Sequence, residues 1–227
     1  MKYGIMGAMP DEVDQLCARL SGVEVQQYAG VEYHQGRLGD KEVVVCCAGM
    51  GKANAAATTQ VLCGKFGAQA IIFSGIAGNM SEEIGIGDVV VGKEVCYHDA
   101  EVSMICQSAP FLKSYTGDPA LVQAALDACA ALGVKAIAGR IATGDTCVGD
   151  GATKAVIAEK VHPDCVEMEG AAVSQIAARN GVPCVVLRAM SDNADESGHE
   201  LLVVKKFSIA EYVTTATAIV ARMLESL

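Results

Sequence analysis

The chain has 227 residues, 52% of them hydrophobic and 19% charged, with a formal net charge of −10. Its pI is near 4.8 and its mean hydropathy +0.33, which argues for a packed core and against disorder. The acidic balance, with no Lys/Arg run longer than Lys205-Lys206, excludes the concentrated positive field that nucleic acids or anionic membrane surfaces require.

The opening "MKYGIMGAMPDEV" is apolar for too few residues to be a secretory leader. No apolar stretch approaches the roughly 20 residues of a membrane span. Most of the ten cysteines lie in or beside apolar runs and no C-x-x-C pair occurs, so reduced, buried thiols in a cytoplasmic protein are expected rather than a metal centre.

In chain order, Tyr3–Met9 reads as a strand and Asp11–Leu20 as a helix. "VEVQQYAG" and "VEYHQGRLG" alternate polar and apolar residues and suggest a hairpin toward one sheet edge. Glu42–Gly49 is a strand and Lys52–Phe66 an alanine-rich helix, followed by strands at Ala70–Gly78 and Asp88–His98. Pro119–Leu132 is helical, Lys135–Thr143 a strand, and Thr153–Val161 and Glu169–Asn180 are helices, the latter with Gly181 as its C-terminal cap. A strand over Pro183–Asp192 and a helix over Ser208–Leu227 complete the pattern. The strands carry consecutive apolar residues, as central strands covered on both faces do. One α/β domain over residues 1–227 is therefore expected, three layers deep, with a mixed and mostly parallel central sheet. Chemistry in such folds lies past the carboxyl ends of the strands.

Those ends carry Glu12 in "GAMPDE", Gly75 and Gly78 in "SGIAGN", Asp145 in "TGDTCVGD", and Ser191 and Asp192 in "MSDNADE". Glu169, in "VEMEG", lies near a helix start. The glycine turns match neither a P-loop nor a dinucleotide fingerprint. Taken singly, each acid also has a plain structural reading. Glu12 and Glu169 can be solvated first-turn acids favoured by the helix dipole, Asp192 an Asx-turn residue, and Asp145 a loop fastener.

Taken together, "GIMGAMPDEV", "AGMGKANAA", "SGIAGN", "GIGDVVV", "YHDAEV", "TGD", "VEMEGAAV" and "VLRAMSDNAD" resemble the 5'-methylthioadenosine/S-adenosylhomocysteine nucleosidases, members of the purine nucleoside phosphorylase-like fold. The resemblance implies hydrolysis of a ribose–adenine bond without a metal or organic cofactor, in a homodimer. It makes Asp192 the acid that protonates adenine N7, with Ser191 beside it, and Glu12 the base that takes a proton from the attacking water. Glu169 then grips the ribose hydroxyls with Met168 against the sugar, while Glu167 is a structural neighbour. Val148 matches a backbone contact to adenine, Gly78 lies near the sugar or water, and Met9 and Met50 line the pocket. Val102 matches a contact contributed by the partner subunit, and Arg188 lies close to the site without serving a phosphate.

Several positions depart from the family pattern. Cys147 stands where an adenine-stacking aromatic is usual, Ile76 replaces a small polar residue, and Asn79 replaces a glycine. "SMICQSAPFLKSYTGDP" lacks the usual aromatics, and "SGHELLVVKKF" departs from the usual start of the lid helix. The acids remain while the lining differs, which points to a retained reaction with an altered substrate preference. A futalosine-like substrate, a phosphorylase and a non-catalytic nucleoside binder are the alternatives.

Overall fold

The computed structural model describes residues 1–196 and 210–227. The segment Ser197–Phe207 and the expected start of the last helix at Ser208 lie outside the described residues. The elements are β1 (Lys2–Gly7), α1 (Pro10–Cys17), β2 (Ser21–Tyr28), β3 (Val31–Leu38), β4 (Lys41–Cys47), α2 (Lys52–Gly64), β5 (Ala70–Asn79) and β6 (Val89–Tyr97). They continue with α3 (Val102–Ile105), β7 (Tyr115–Thr116), α4 (Pro119–Ala131), β8 (Ala136–Thr143), α5 (Gly151–Val161), β9 (Cys165–Glu167), α6 (Gly170–Arg179), β10 (Cys184–Asp192) and α7 (Ala210–Ser226).

Alternation along the strands assigns side chains to opposite faces. Met6, Val44, Cys46, Ile71 and Phe73 pack with Ala55 and Leu62 of α2 and Ala171 and Val173 of α6. On the other face, Tyr3, Ile5, Val43, Val45 and Ile72 pack with Leu16 of α1, Leu121 and Ala125 of α4, and Ile219 and Val220 of α7. Each aliphatic side chain sealed this way contributes about 1.5–3 kcal/mol, so both helical layers are held by the strand pattern itself. The three αβα layers are those expected.

The sheet runs β10-β6-β8-β9-β5-β1-β4-β3-β2, and β10 also pairs with β5. Strands β5, β10, β6, β8 and β9 therefore close into a ring. The central pairings are mostly parallel, and the antiparallel ones of the β2–β3–β4 edge, of β7, and of β10 with β6 and β9 with β5 make the sheet mixed, as expected. Antiparallel contacts of β10 with β6 and of β9 with β5 close the ring, and hydrophobic runs alone do not carry strand direction.

Two irregularities at the strand ends build the site. Strand β1 follows β5 only from Ala70 to Phe73; above that point the two diverge and β9 takes the place beside Gly78 and Asn79. In β10 the register shifts between Met190 and Asp192, a bulge at Ser191 that re-aims the following side chain.

Gly117, which joins β7 to α4, has no room for a Cβ: it would collide with the Gly92 carbonyl and meet Val122 Cγ2 at 2.9 Å. Backbone cannot yield as a flexible side chain does. Gly117→Ala is expected to destabilise the protein by about 1–3 kcal/mol, seen as a fall of roughly 2–12 °C in Tm on thermal denaturation. An unchanged Tm would contradict this packing.

Candidate active site

A cavity of about 530 Å³ opens at the strand ends. Its wall includes Met9, Glu12, Met50, Gly78, Cys147, Val148, Met168, Glu169, Ser191 and Asp192. The residues expected at the site are thus brought together, with one exception. Val102, on α3, is absent from the wall and packs half-buried against the first core.

Glu12 occupies the gap where β1 leaves β5. It lies in the first turn of α1, whose N-cap is Met9. Its Oε2 accepts from the Ala8 and Met9 N–H groups at 2.6 and 3.0 Å, and its Oε1 from the Ile76 N–H at 3.2 Å. The Ile76 amide would otherwise face an unpaired strand edge. Glu12 is buried, so the solvated first-turn reading fails. Burial pushes its carboxyl above the ordinary value, against the lowering pull of Arg188 and the three N–H donors.

Glu169 stands at the N-cap of α6. Its Oε1 accepts from the Gly51 N–H at 2.8 Å, and its Oε2 from Arg188 Nη2 at 3.3 Å. Gly49 and Gly51 have φ of +85° and +91°, a region glycine enters freely. That turn presents Met50 to the cavity and the Gly51 amide to Glu169. Burial first, and Glu167 second, push the Glu169 carboxyl up to about 7, with Arg188 and the Gly51 amide opposing.

Asp192 follows the bulge. Its Oδ2 accepts from Ser191 Oγ at 2.8 Å, and its Oδ1 from the Ala194 N–H at 2.8 Å. The Asx-turn reading is therefore correct as local structure, and the same buried side chain also lines the cavity. Lys154 of α5 donates to the Asn79 carbonyl at 3.1 Å and to that of Asn193, tying the loop after Asp192 to the end of β5. Asp145 fastens its loop, accepting from the Lys52 N–H at 2.9 Å and pairing with Lys52 Nζ at 3.4 Å. It is absent from the cavity wall.

Two wall residues carry more than the sequence disclosed. Arg188 is 1% exposed, and its guanidinium carbon lies 4.2 Å from the centroid of the Phe73 ring. It pairs with both Glu167 and Glu169. A Cβ at Gly75 would collide with both Arg188 Nη1 and Glu12 Oε1, so the guanidinium and the Glu12 carboxyl group flank that glycine without forming an ion pair. Glu167 also reaches the wall. The signal for Arg188 was a lone cation inside "VVLRAM", since charged residues are almost never fully buried unless paired. No aromatic ring lines the cavity among the described residues, and Cys147 is exposed to it.

A nucleoside-sized cavity lined by the carboxyl groups of Asp11, Glu12, Glu167, Glu169 and Asp192, at the strand ends of this αβα fold, defines an enzyme that cleaves N-glycosidic bonds. Residues 2–225 match the model of the phosphorylase superfamily. A 5'-methylthioadenosine/S-adenosylhomocysteine nucleosidase of Shewanella sediminis (strain HAW-EB3) is 41% identical over 201 residues, covering 86% of this chain and 87% of that protein. The chain belongs to the 5'-methylthioadenosine/S-adenosylhomocysteine nucleosidase family, purine nucleosidases that hydrolyse the N-glycosidic bond. Among solved structures, the S-adenosylhomocysteine nucleosidase from Streptococcus pyogenes, in complex with 5-methylthiotubericidin, has a TM-score of 0.92 and 34% identity, covering 100% of this chain and 97% of that one. The futalosine hydrolase of Helicobacter pylori strain 26695 has a TM-score of 0.90 and 29% identity, covering 100% and 98%.

The shifted carboxyl has a consequence for stability. A group that holds its proton more tightly when folded disfavours folding once it must ionise. For Glu169 the penalty is absent below about 4.5 and complete above about 7. Glu169→Gln, which mimics the protonated form, is expected to gain in Tm over the parent protein as pH rises through that window. Parallel Tm–pH curves for the two proteins would contradict the shift.

Proposed function

We propose that this enzyme hydrolyses 5'-methylthioadenosine, S-adenosylhomocysteine or both, with water as the acceptor and free adenine as a product. The observation that carries this reading is the convergence of Glu12, Glu169 and Asp192 on one cavity. In the proposed reaction Glu169 grips the ribose diol and Met168 backs the sugar, which orients C1' toward the water. Asp192 gives its proton to N7, so the electron pair of the breaking C1'–N9 bond enters a ring that leaves neutral. The water oxygen bonds to C1' of the oxocarbenium-like sugar, and its proton passes to Glu12. A carboxyl raised by burial suits that task, since it accepts a proton closer to neutrality than a solvated glutamate does.

Water rather than phosphate is favoured as the nucleophile. Among the described residues, Arg188 is the one cation on the wall, and it is already engaged by Glu167 and Glu169. A futalosine-like substrate is the second reading, supported by the likeness to the H. pylori hydrolase and by a lining without aromatic rings among the described residues.

We further infer that one catalytic domain spans residues 1–227 and works in the cytoplasm, where the ten free thiols stay reduced. It acts there as a homodimer in which Val102 faces the partner's cavity. Met104 and Phe111 are 66% and 69% exposed, an apolar surface beside Val102 that suits a subunit contact.

With methylthioadenosine, adenosylhomocysteine, futalosine and inosine, each assayed with and without phosphate, adenine release independent of phosphate is expected from the first two. Phosphate dependence would indicate a phosphorylase, preference for futalosine the second reading, and no release a binding protein. Asp192→Asn and Glu12→Gln are each expected to lower kcat about 10²–10⁴-fold while the circular dichroism spectrum stays unchanged. Sedimentation should show a dimer, and Phe111→Glu should shift it toward monomer.

A further inference from the structure

Glu167 has no part in the reaction as written above, yet its side chain is 2% exposed and reaches the cavity wall. Four donor groups converge on its carboxylate. Arg188 Nη2 and the Glu169 N–H donate to Oε2, the latter at 3.1 Å. Thr143 Oγ1 donates to Oε1, and the Gly170 N–H is shared, 2.7 Å from Oε2 and 3.0 Å from Oε1. Thr143 Oγ1 in turn accepts from the Ala171 N–H at 2.8 Å, which ties the end of β8 to the first turn of α6. Such a set of contacts exceeds what a filler residue needs.

We propose that Glu167 is a positioning residue for hydrolysis: it seats the Arg188 guanidinium against Glu169, with Glu12 nearby, and adds a further negative charge to that cluster. The proposal rests on the nucleosidase reading for what the acids do, but not for how they are arranged. The geometry is direct. Arg188 Nη2 touches Glu167 and lies 3.3 Å from Glu169, while Nη1 and Glu12 Oε1 both border the space a Cβ would fill at Gly75. One buried cation therefore lies among three buried carboxyl groups, and three full negative charges there are unfavourable.

The other titratable groups that feel Glu167 are the Cys96 and Cys165 thiols, the Tyr97 phenol and the His98 imidazole. Burial raises the thiols and the phenol and lowers the imidazole, so all four stay neutral through the working range. The charge balance is left to Arg188, Glu12, Glu167 and Glu169.

The test follows the carboxyl titrations of Glu12 and Glu169 by ¹³C NMR, beside the pH profile of kcat/KM for methylthioadenosine. In Glu167→Gln, which keeps the shape and removes the charge, Glu169 is expected to titrate about one pH unit lower, and the acidic limb of kcat/KM to follow it. Glu167→Asp keeps the charge and retracts the carboxylate, so the titration should stay near its parent value while kcat falls at least tenfold. If Glu167→Gln does not fold, Thr143→Val, which removes one donor from Oε1 and leaves the Glu167 charge less compensated, is expected to move the Glu169 titration in the opposite direction and by less. Unmoved titrations in the charge-removing or donor-removing variant overturn the proposal, as does a Glu167→Asp enzyme of parental kcat. The NMR readout needs no turnover. A shifted titration without base release from any nucleoside therefore sinks the nucleosidase reading and leaves the Glu167 assignment standing.

Discussion

A single guanidinium, closed in between strand β10 and the ring of Phe73, faces three buried carboxyl groups. Removing one ion from water costs several kcal/mol even after the protein relaxes, and here four ionisable groups are taken in together. The cluster is tolerable because each member is supplied with partners. Glu12 receives three backbone amides, Glu169 one, and Glu167 two and a hydroxyl. Acids still outnumber the cation, and the imbalance appears as carboxyl groups of Glu12 and Glu169 held above their ordinary range.

The local and the chemical readings of the acids are not rivals. Glu12 occupies a first helical turn, and Asp192 makes an Asx turn with the Ala194 amide. These are the modest structural duties expected of such residues. In both cases the local hydrogen bonds fix the carboxyl group in a buried place at the cavity. Preorganisation of that kind lets a side chain act without first being ordered.

Much of the arrangement was legible in the sequence, for physical reasons that can be named. Long apolar strands such as Ala70–Gly78 and Pro183–Asp192 announced themselves by consecutive buried positions, and their ends held the acids. What was hidden is equally specific. Strand β9 has three residues and β7 two, too few for any period to register. Ring closure depends on pairings of β10 with both β5 and β6, and no strand carries its partners in its own pattern. Glu167 was read as a structural neighbour, although residues two apart along a strand share a face. Both carboxylates reach Arg188. The lack of an aromatic ring on the wall among the described residues was legible at one point, Cys147, where the resemblance led one to expect a ring.

The contacts that hold the acid cluster are long-range. Ile76 binds Glu12 across 64 residues, and Gly51 binds Glu169 across 118. No local stretch contains the reacting groups, and pairings at such separations close late because loop entropy must be overcome first. On dilution from denaturant, helices and the β2–β3 hairpin need only neighbouring residues, whereas the guanidinium meets its acids only after both ends of the polypeptide have docked. A nascent chain still short of residue 188 therefore lacks the cation on which Glu167 and Glu169 converge.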